Sequence, residues 1–234
     1  MLGARDTVTG GGPVATSATP PPSAHPPSHG PGQVREARRG RRPTETGGAG
    51  AGGHARVPGM STSRSELLRG QWDMTWSLFE YHLERLRPED FLWEPAPHHW
   101  TMRPDGTGAW TADWADTEPD PVPVPTVAWL SWHLGWWLSV ATDHVAGRPP
   151  RGREDIPWPG PGEPAVEWLR GLRQEWQRTV AGLTDADLGS PARFPVPDDP
   201  AHTVGHLLAW VNVELMKNVA EIGQLRLTRA AAGG

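Results

Sequence analysis

The chain has 234 residues, fourteen tryptophans, no cysteine and a formal net charge of −5. Without cysteine there is no disulfide framework, no thiolate metal site and no Cys nucleophile. The charge is split unevenly: residues 1–59 carry seven Arg against Asp6, Glu36 and Glu45, a net of +4, which leaves −9 on the remainder. An acidic folded part argues against general nucleic-acid binding, which needs clustered cations against phosphate.

Residues 1–59 contain no Trp, Phe or Tyr and are mostly Gly, Pro, Ala, Ser, Thr and Arg. Such a segment buries too little apolar surface to offset the entropy of ordering, so a disordered leader is expected, followed by one folded domain over 60–234. Arg35, Arg38, Arg39, Arg41 and Arg42 could be read as a nucleic-acid arm. Yet Lys217 is the only lysine beside 21 arginines, a coding bias that makes local Arg clusters commonplace. The run MSTSRSELL leads straight into the first helical pattern, which suggests that translation starts at Met60. MLGARDTV lacks the apolar core of a signal peptide, and the most apolar run, 127–141, is shorter than the ~20 residues of a membrane span. The expectation is a cytoplasmic protein with no membrane segment.

Ser63-Arg64-Ser65-Glu66 has the form of a capping box. Leu68, Trp72, Trp76, Phe79, Leu83 and Leu86 then recur at threes and fours, an amphipathic first helix that Pro88 ends. Residues 94–125 lose that pattern, and Pro119, Pro121, Pro123 and Pro125 on alternate positions favour extended chain. A structureless loop this long inside a compact domain is usually functional, and its tryptophans suit a lid packed over the domain. The second helix, 126–146, is apolar almost all round, which befits a central helix or one shared with another subunit; a homodimer is expected from it. After a proline-rich connection over 147–162, Val166, Leu169, Leu172, Trp176, Val180 and Leu183 form the stripe of a third helix. A short turn follows at Thr184–Asp187, then an extended loop, with Asp199-Pro200 as N-cap and first-turn proline of a fourth helix. No segment shows sustained alternation of β-branched residues, so strands have little support. The pattern gives an all-α four-helix bundle with long connections.

The fourth helix, 204–226, is the longest uninterrupted pattern. At 100° per residue its apolar positions fall in one arc, with Asn218 inside that arc and Glu214 at its edge. Polar groups on a buried face need partners. Their i, i+4 spacing aims both side chains at one spot, the way bundles present two metal ligands from one helix to another on a facing helix. His133, midway along the second helix, is the candidate on that facing helix; otherwise it is a hydrogen-bonded core histidine. His202 and His206 form a His-x-x-x-His pair but lie on the opposite side of the fourth helix and face solvent unless a loop covers them. His82, His98, His99 and His144 lack partner spacing and are expected at the surface or in loops.

Three stretches, LWEPAPHHWTMRP, TVAWLSWHLGWW and WVNVELMKNVAEIGQLR, resemble in order and spacing the DinB-like family, which includes bacillithiol and mycothiol S-transferases and a mycothiol-dependent maleylpyruvate isomerase. The likeness runs from about Ser63 to Arg229. It implies a four-helix bundle, a divalent metal such as zinc or nickel, and a low-molecular-weight thiol. His133 matches the family's first metal ligand, and Glu214 and Asn218 stand where two further ligands, commonly His, are placed. Trp100 and Trp137 are the substrate-contacting candidates. Glu is a competent ligand and Asn a weak neutral one. Two functions follow: a metal-dependent thiol S-transferase or hydrolase with a degenerate site, or a non-catalytic, metal-free small-molecule-binding or dimeric bundle.

Overall fold

The computed structural model describes residues 62–233. The leader, its Arg cluster and the start expected at Met60 lie outside those residues.

Five helices and four short strands follow in order. Helix α1 spans Arg64–Leu83 and α2 is a single turn, Pro88–Phe91. Strands β1 (His99–Trp100), β2 (Met102–Pro104), β3 (Trp110–Ala112) and β4 (Val124–Pro125) come next, then α3 (Val127–Val145), α4 (Glu163–Val180) and α5 (Val204–Ala232). The four long helices form the expected bundle.

Local chemistry sets the helix starts. Ser63 and Glu66 close the capping box of α1, with Ser63 N donating to Glu66 Oε2 at 2.8 Å and Glu66 N to Ser63 Oγ at 3.2 Å. Asp185, from the turn after α4, accepts from the N–H groups of Arg64 and Ser65, so a carboxylate sits on the positive end of α1. Thr126 caps α3 through Trp129 N. Helix α5 starts later than the sequence suggests: Thr203 is its N-cap, and its N–H donates to His206 Nδ1. Asp199 instead organises the turn before it, accepting from Ala201 N at 2.8 Å. Pro88 does not end α1, which stops at Leu83; it opens α2, where a missing N–H costs nothing.

Helix α3 is the centre. Every residue from Val127 to Asp143 is buried except His133. It is enclosed by the chain's own elements, so its apolar circumference is accounted for without a second subunit. It runs beside α4 in the same direction, with Gly135 against Trp168 and Arg148 on Glu175, and antiparallel to α5, with His133 near Asn218 and Trp137 against Trp210. A parallel neighbour requires a return crossover, which explains the long proline-rich connection between α3 and α4. Helices α1 and α5 run parallel, with Asn212 bonded to Leu68 O and Gly223 against His82. The seam between α1 and α4 is bridged by long side chains: Trp72 and Trp176 meet at a tilt of 46° with centroids 5.6 Å apart, and Gln177 donates to Asp73.

The 94–125 segment is more ordered than its composition suggests. Strand β1 pairs in parallel with β4, and β2 antiparallel with β3. Asp105 Oδ1 holds the turn between β2 and β3 by accepting from Thr107 N and Ala109 N, while Gly106 and Gly108 take φ of 82° and 100°. Those positive angles are why the turn reads Asp-Gly-Thr-Gly. Arg103 then forks onto Asp113, whose backbone carbonyl accepts from Trp129 Nε1 at 2.8 Å and pins the segment to α3.

Gly135 marks the closest approach of α3 and α4, because a Cβ there would lie 1.9 Å from the Trp168 ring. Gly135→Ala is therefore expected to destabilise the bundle by about 1–3 kcal/mol despite its higher helix propensity. Urea denaturation checks this; a gain in stability would mean that α4 is free to move aside.

Candidate functional site

The α3–α5 seam brings together His133, Trp137, Glu214, Lys217, Asn218 and Glu221. Asn218 is fully buried, and its side chain is used at both ends. Its Oδ1 accepts from Trp137 Nε1 at 3.0 Å and its Nδ2 donates to Glu221 Oε2 at 3.0 Å. Glu214 is 5 % exposed and accepts from Lys217 Nζ at 3.3 Å, while the same ammonium lies 3.9 Å from Glu221 Oε2. Lys217 thus bridges two carboxylates of its own helix, one about a turn before it and one about a turn after.

His133 is the one partly exposed residue in the buried span of α3. Its ring lies flat on Trp129, centroids 4.8 Å apart and 10° between planes, with Trp136 edge-on at 5.8 Å. Its Nδ1 is buried without a hydrogen-bond partner. Burial is the main cause that pushes its pKa down to about 3; the Lys217 charge adds to this, and a hydrogen bond with the Asn218 side chain opposes it. The imidazole is neutral at physiological pH.

Of the residues expected to bind substrate, Trp100 is half-buried and stacks on Trp129 at 5.0 Å, so Trp100, Trp129 and His133 form a short stack. Trp114 lies beside it, with the Arg153 guanidinium 4.3 Å above its ring. Trp137 has another place. It is 2 % exposed, donates to Asn218 and meets Trp210 edge-on, so it orients the seam from inside.

The remaining histidines are elsewhere. His202 Nε2 meets Phe194 O at 2.9 Å under the loop before α5, and His206 is exposed and stacked on it, away from the α3–α5 cluster. His98 is exposed. The surface expectation needs correction for three others. His82 is buried against Gly223 with Arg226 Nε 3.4 Å from its Nδ1, and burial lowers its pKa. His144 is half-buried, stacks on Phe194 and is also lowered by burial. His99 is largely covered and holds Ala96 O through Nδ1. Lys217 and Glu221 are the site residues that the sequence reading missed. Their signal was the Glu214-x-x-Lys217-x-x-x-Glu221 spacing, which places alternating charges along one helix edge.

The donor set does not fit a divalent metal of the kind the resemblance implies. Among the described residues no group of three or more His, Cys, Asp or Glu side chains is placed to hold one. Asn218 Oδ1 already accepts from Trp137, and the Lys217 ammonium supplies the positive charge that Glu214 and Glu221 face.

A second feature is a cleft of about 220 Å³ between α1, α4 and α5, lined by Leu68, Trp72, Asp73, Trp176, Gln177 and Asn212 among others. It is separate from His133. Among the described residues no helix is long and apolar enough to cross a membrane.

No curated protein sequence matches the chain significantly. The profile of the DinB superfamily matches residues 71–222, from α1 to the Ile222 turn of α5 and through every element that builds the seam. By that match, in agreement with the bundle and its long connections, the chain belongs to the DinB superfamily.

Proposed function

We propose that the chain is a metal-free member of its superfamily that binds a small organic molecule at the aromatic mouth around His133, and that it does not run metal-activated thiol transfer or hydrolysis. The observation that carries this reading is the Lys217 ammonium between Glu214 and Glu221. Metal-assisted thiol or water activation needs an open coordination position on a Lewis acid held by several strong donors. Here one neutral imidazole faces an amide already engaged and two carboxylates that share the Lys217 ammonium. What is left at the mouth suits binding. A neutral, partly exposed imidazole continues the Trp100–Trp129 stack, an aromatic surface suited to a planar or apolar group.

Protein purified without an affinity tag and dialysed against micromolar zinc or nickel is expected to hold far less than one metal per chain by elemental analysis. It is also expected to leave the uncatalysed rate of a low-molecular-weight thiol with an aryl halide unchanged. Lys217→Met removes the competing cation and is expected to tighten zinc binding by about tenfold or more, since the ammonium shared by Glu214 and Glu221 is then gone. Stoichiometric metal in the wild type, lost in His133→Ala, would overturn the reading.

The depressed pKa of His133 makes a stability prediction whose sign is fixed. The folded state resists protonating this group and the unfolded state, with an ordinary pKa of 6.5, does not. Its contribution is complete above about pH 6.5 and is lost as pH falls below it, by about 1.4 kcal/mol per pH unit. From pH 7.5 to pH 5 that is about 2 kcal/mol from His133, and His82 and His144 act in the same direction. Denaturation of wild type and His133→Gln at both pH values measures it: the acid loss should shrink in the variant, and an equal loss in both would show that His133 titrates normally.

A further inference from the structure

Helices α1 and α5 leave a continuous apolar surface on the side of the bundle away from the cleft. On α1, Leu67, Gln71, Met74, Leu78 and Tyr81 fall within about 80° of one another at 100° per residue, and no Asp, Glu, Lys or Arg of the helix shares that sector. The large side chains among them are well exposed: Leu67 by 67 %, Met74 by 74 %, Leu78 by 42 % and Tyr81 by 49 %. On α5, Ala209, Val213, Met216, Ala220, Leu227 and Ala231 fall within about 60°, again with no charged residue in the sector. Val213, Met216 and Leu227 are 61 %, 44 % and 54 % exposed. The two strips flank one seam, because Gln71 Oε1 accepts from Asn212 and Arg226 approaches both His82 and the Tyr81 ring. In a chain with 21 % charged residues, two adjoining helices that each carry an uncharged exposed strip are a patterned surface rather than scattered exposure.

We propose that this α1–α5 face is the homodimer interface, with a second copy of the chain as its occupant. The seven large side chains expose on the order of 800 Å² between them, about what each partner buries in a standard stable interface and more than the largest patch of a typical monomer. The surface carries no charge pattern to select a different partner, and a two-fold contact needs only a patch that complements itself. Two parallel helices against their symmetry mates give a four-helix seam of ordinary ridges-into-grooves packing. The charges stand at the edge: Arg85 covers the outer end of the strip, 3.9 Å over Tyr81, as in an interface with an apolar centre and a polar rim. The leader is a poor occupant, since residues 1–59 contain no aromatic residue and no Ile to fill such a face. The proposal is independent of the function proposed for the His133 mouth.

Sedimentation velocity of the full chain at micromolar concentration is expected to give twice the 25.5 kDa protomer mass. Met74→Glu and Val213→Glu, on different helices of the same face, are each expected to weaken the dimer by at least about a hundredfold while far-UV circular dichroism stays unchanged. Val122→Glu, also well exposed but in the loop before β4, is the control and should leave the dimer intact. Should one glutamate variant fail to fold, the other carries the test. A wild-type monomer at about 100 µM overturns the proposal, as does a dimer that neither substitution weakens. A monomer that dimerises only after removal of residues 1–59 also overturns it, by making the leader the occupant.

Discussion

The constraint on which the structure depends is the burial of α3 on every side. A helix that is apolar around its whole circumference cannot lie at the edge of a domain, so other elements must cover each of its faces. Helix α4 covers one, approaching so closely at Gly135 that only a glycine leaves room for the Trp168 ring. Helix α5 covers a second. The 94–125 segment covers a third, held by the bond from Trp129 to the Asp113 carbonyl. This last layer explains why so many tryptophans precede α3: a segment with little regular structure stays in place by stacking large rings, and Trp100, Trp114 and Trp129 do so. At the C-terminal end of α3, Asp143 is 3 % exposed yet paired with both Arg148 and Arg151, so the polar termination of the helix folds the next connection back on itself.

Such a buried helix leaves one of its residues from Val127 to Asp143 partly exposed, His133. The same enclosure that makes α3 central desolvates this imidazole, and the ammonium of Lys217 reinforces its neutrality. The two effects come from different elements, one from packing on α3 and one from charge on α5. Burial of the other polar groups in the α3–α5 seam is tolerable because they are paired, Trp137 with Asn218, Asn218 with Glu221, and Glu214 with Lys217, while His133 Nδ1 is buried without a partner.

The helices were legible because their signals are local and repeated. The Ser63–Glu66 box, the 3.6-residue stripes and the apolar run over α3 each specify an element without reference to the rest of the chain. The strands were not, since β1 and β4 have two residues each and pair across 25 positions, so no alternation can build up within them. The hairpin of β2 and β3 did leave a mark in Asp105-Gly106-Thr107-Gly108, a turn signature inside a segment that otherwise reads as proline-rich loop. The start of α5 was misplaced because Asp199-Pro200 and Thr203 both have capping chemistry, and only the tertiary position of the preceding loop decides between them. For the site, the helical projection correctly separated Asn218 from the His202–His206 pair. It passed over Lys217 because a lysine at the edge of an apolar arc usually reaches for water, whereas this one turns along the helix to two carboxylates.

Those carboxylates also explain why Asn218 should not be regarded as a single defective ligand in an otherwise intact metal site. Had only that position changed, a neutral amide would weaken the site without closing it. Here the surrounding groups agree with one another: the amide bonds a tryptophan on one side and a carboxylate on the other, and a lysine four residues before that carboxylate offsets its charge together with that of Glu214. Putting histidine at 218 would break the Trp137 and Glu221 bonds and leave Lys217 in place, so it would not by itself recreate a site for a dication. The bonds that Trp137, Asn218, Glu221, Glu214 and Lys217 make with one another make the seam a structural element of this bundle in its own right.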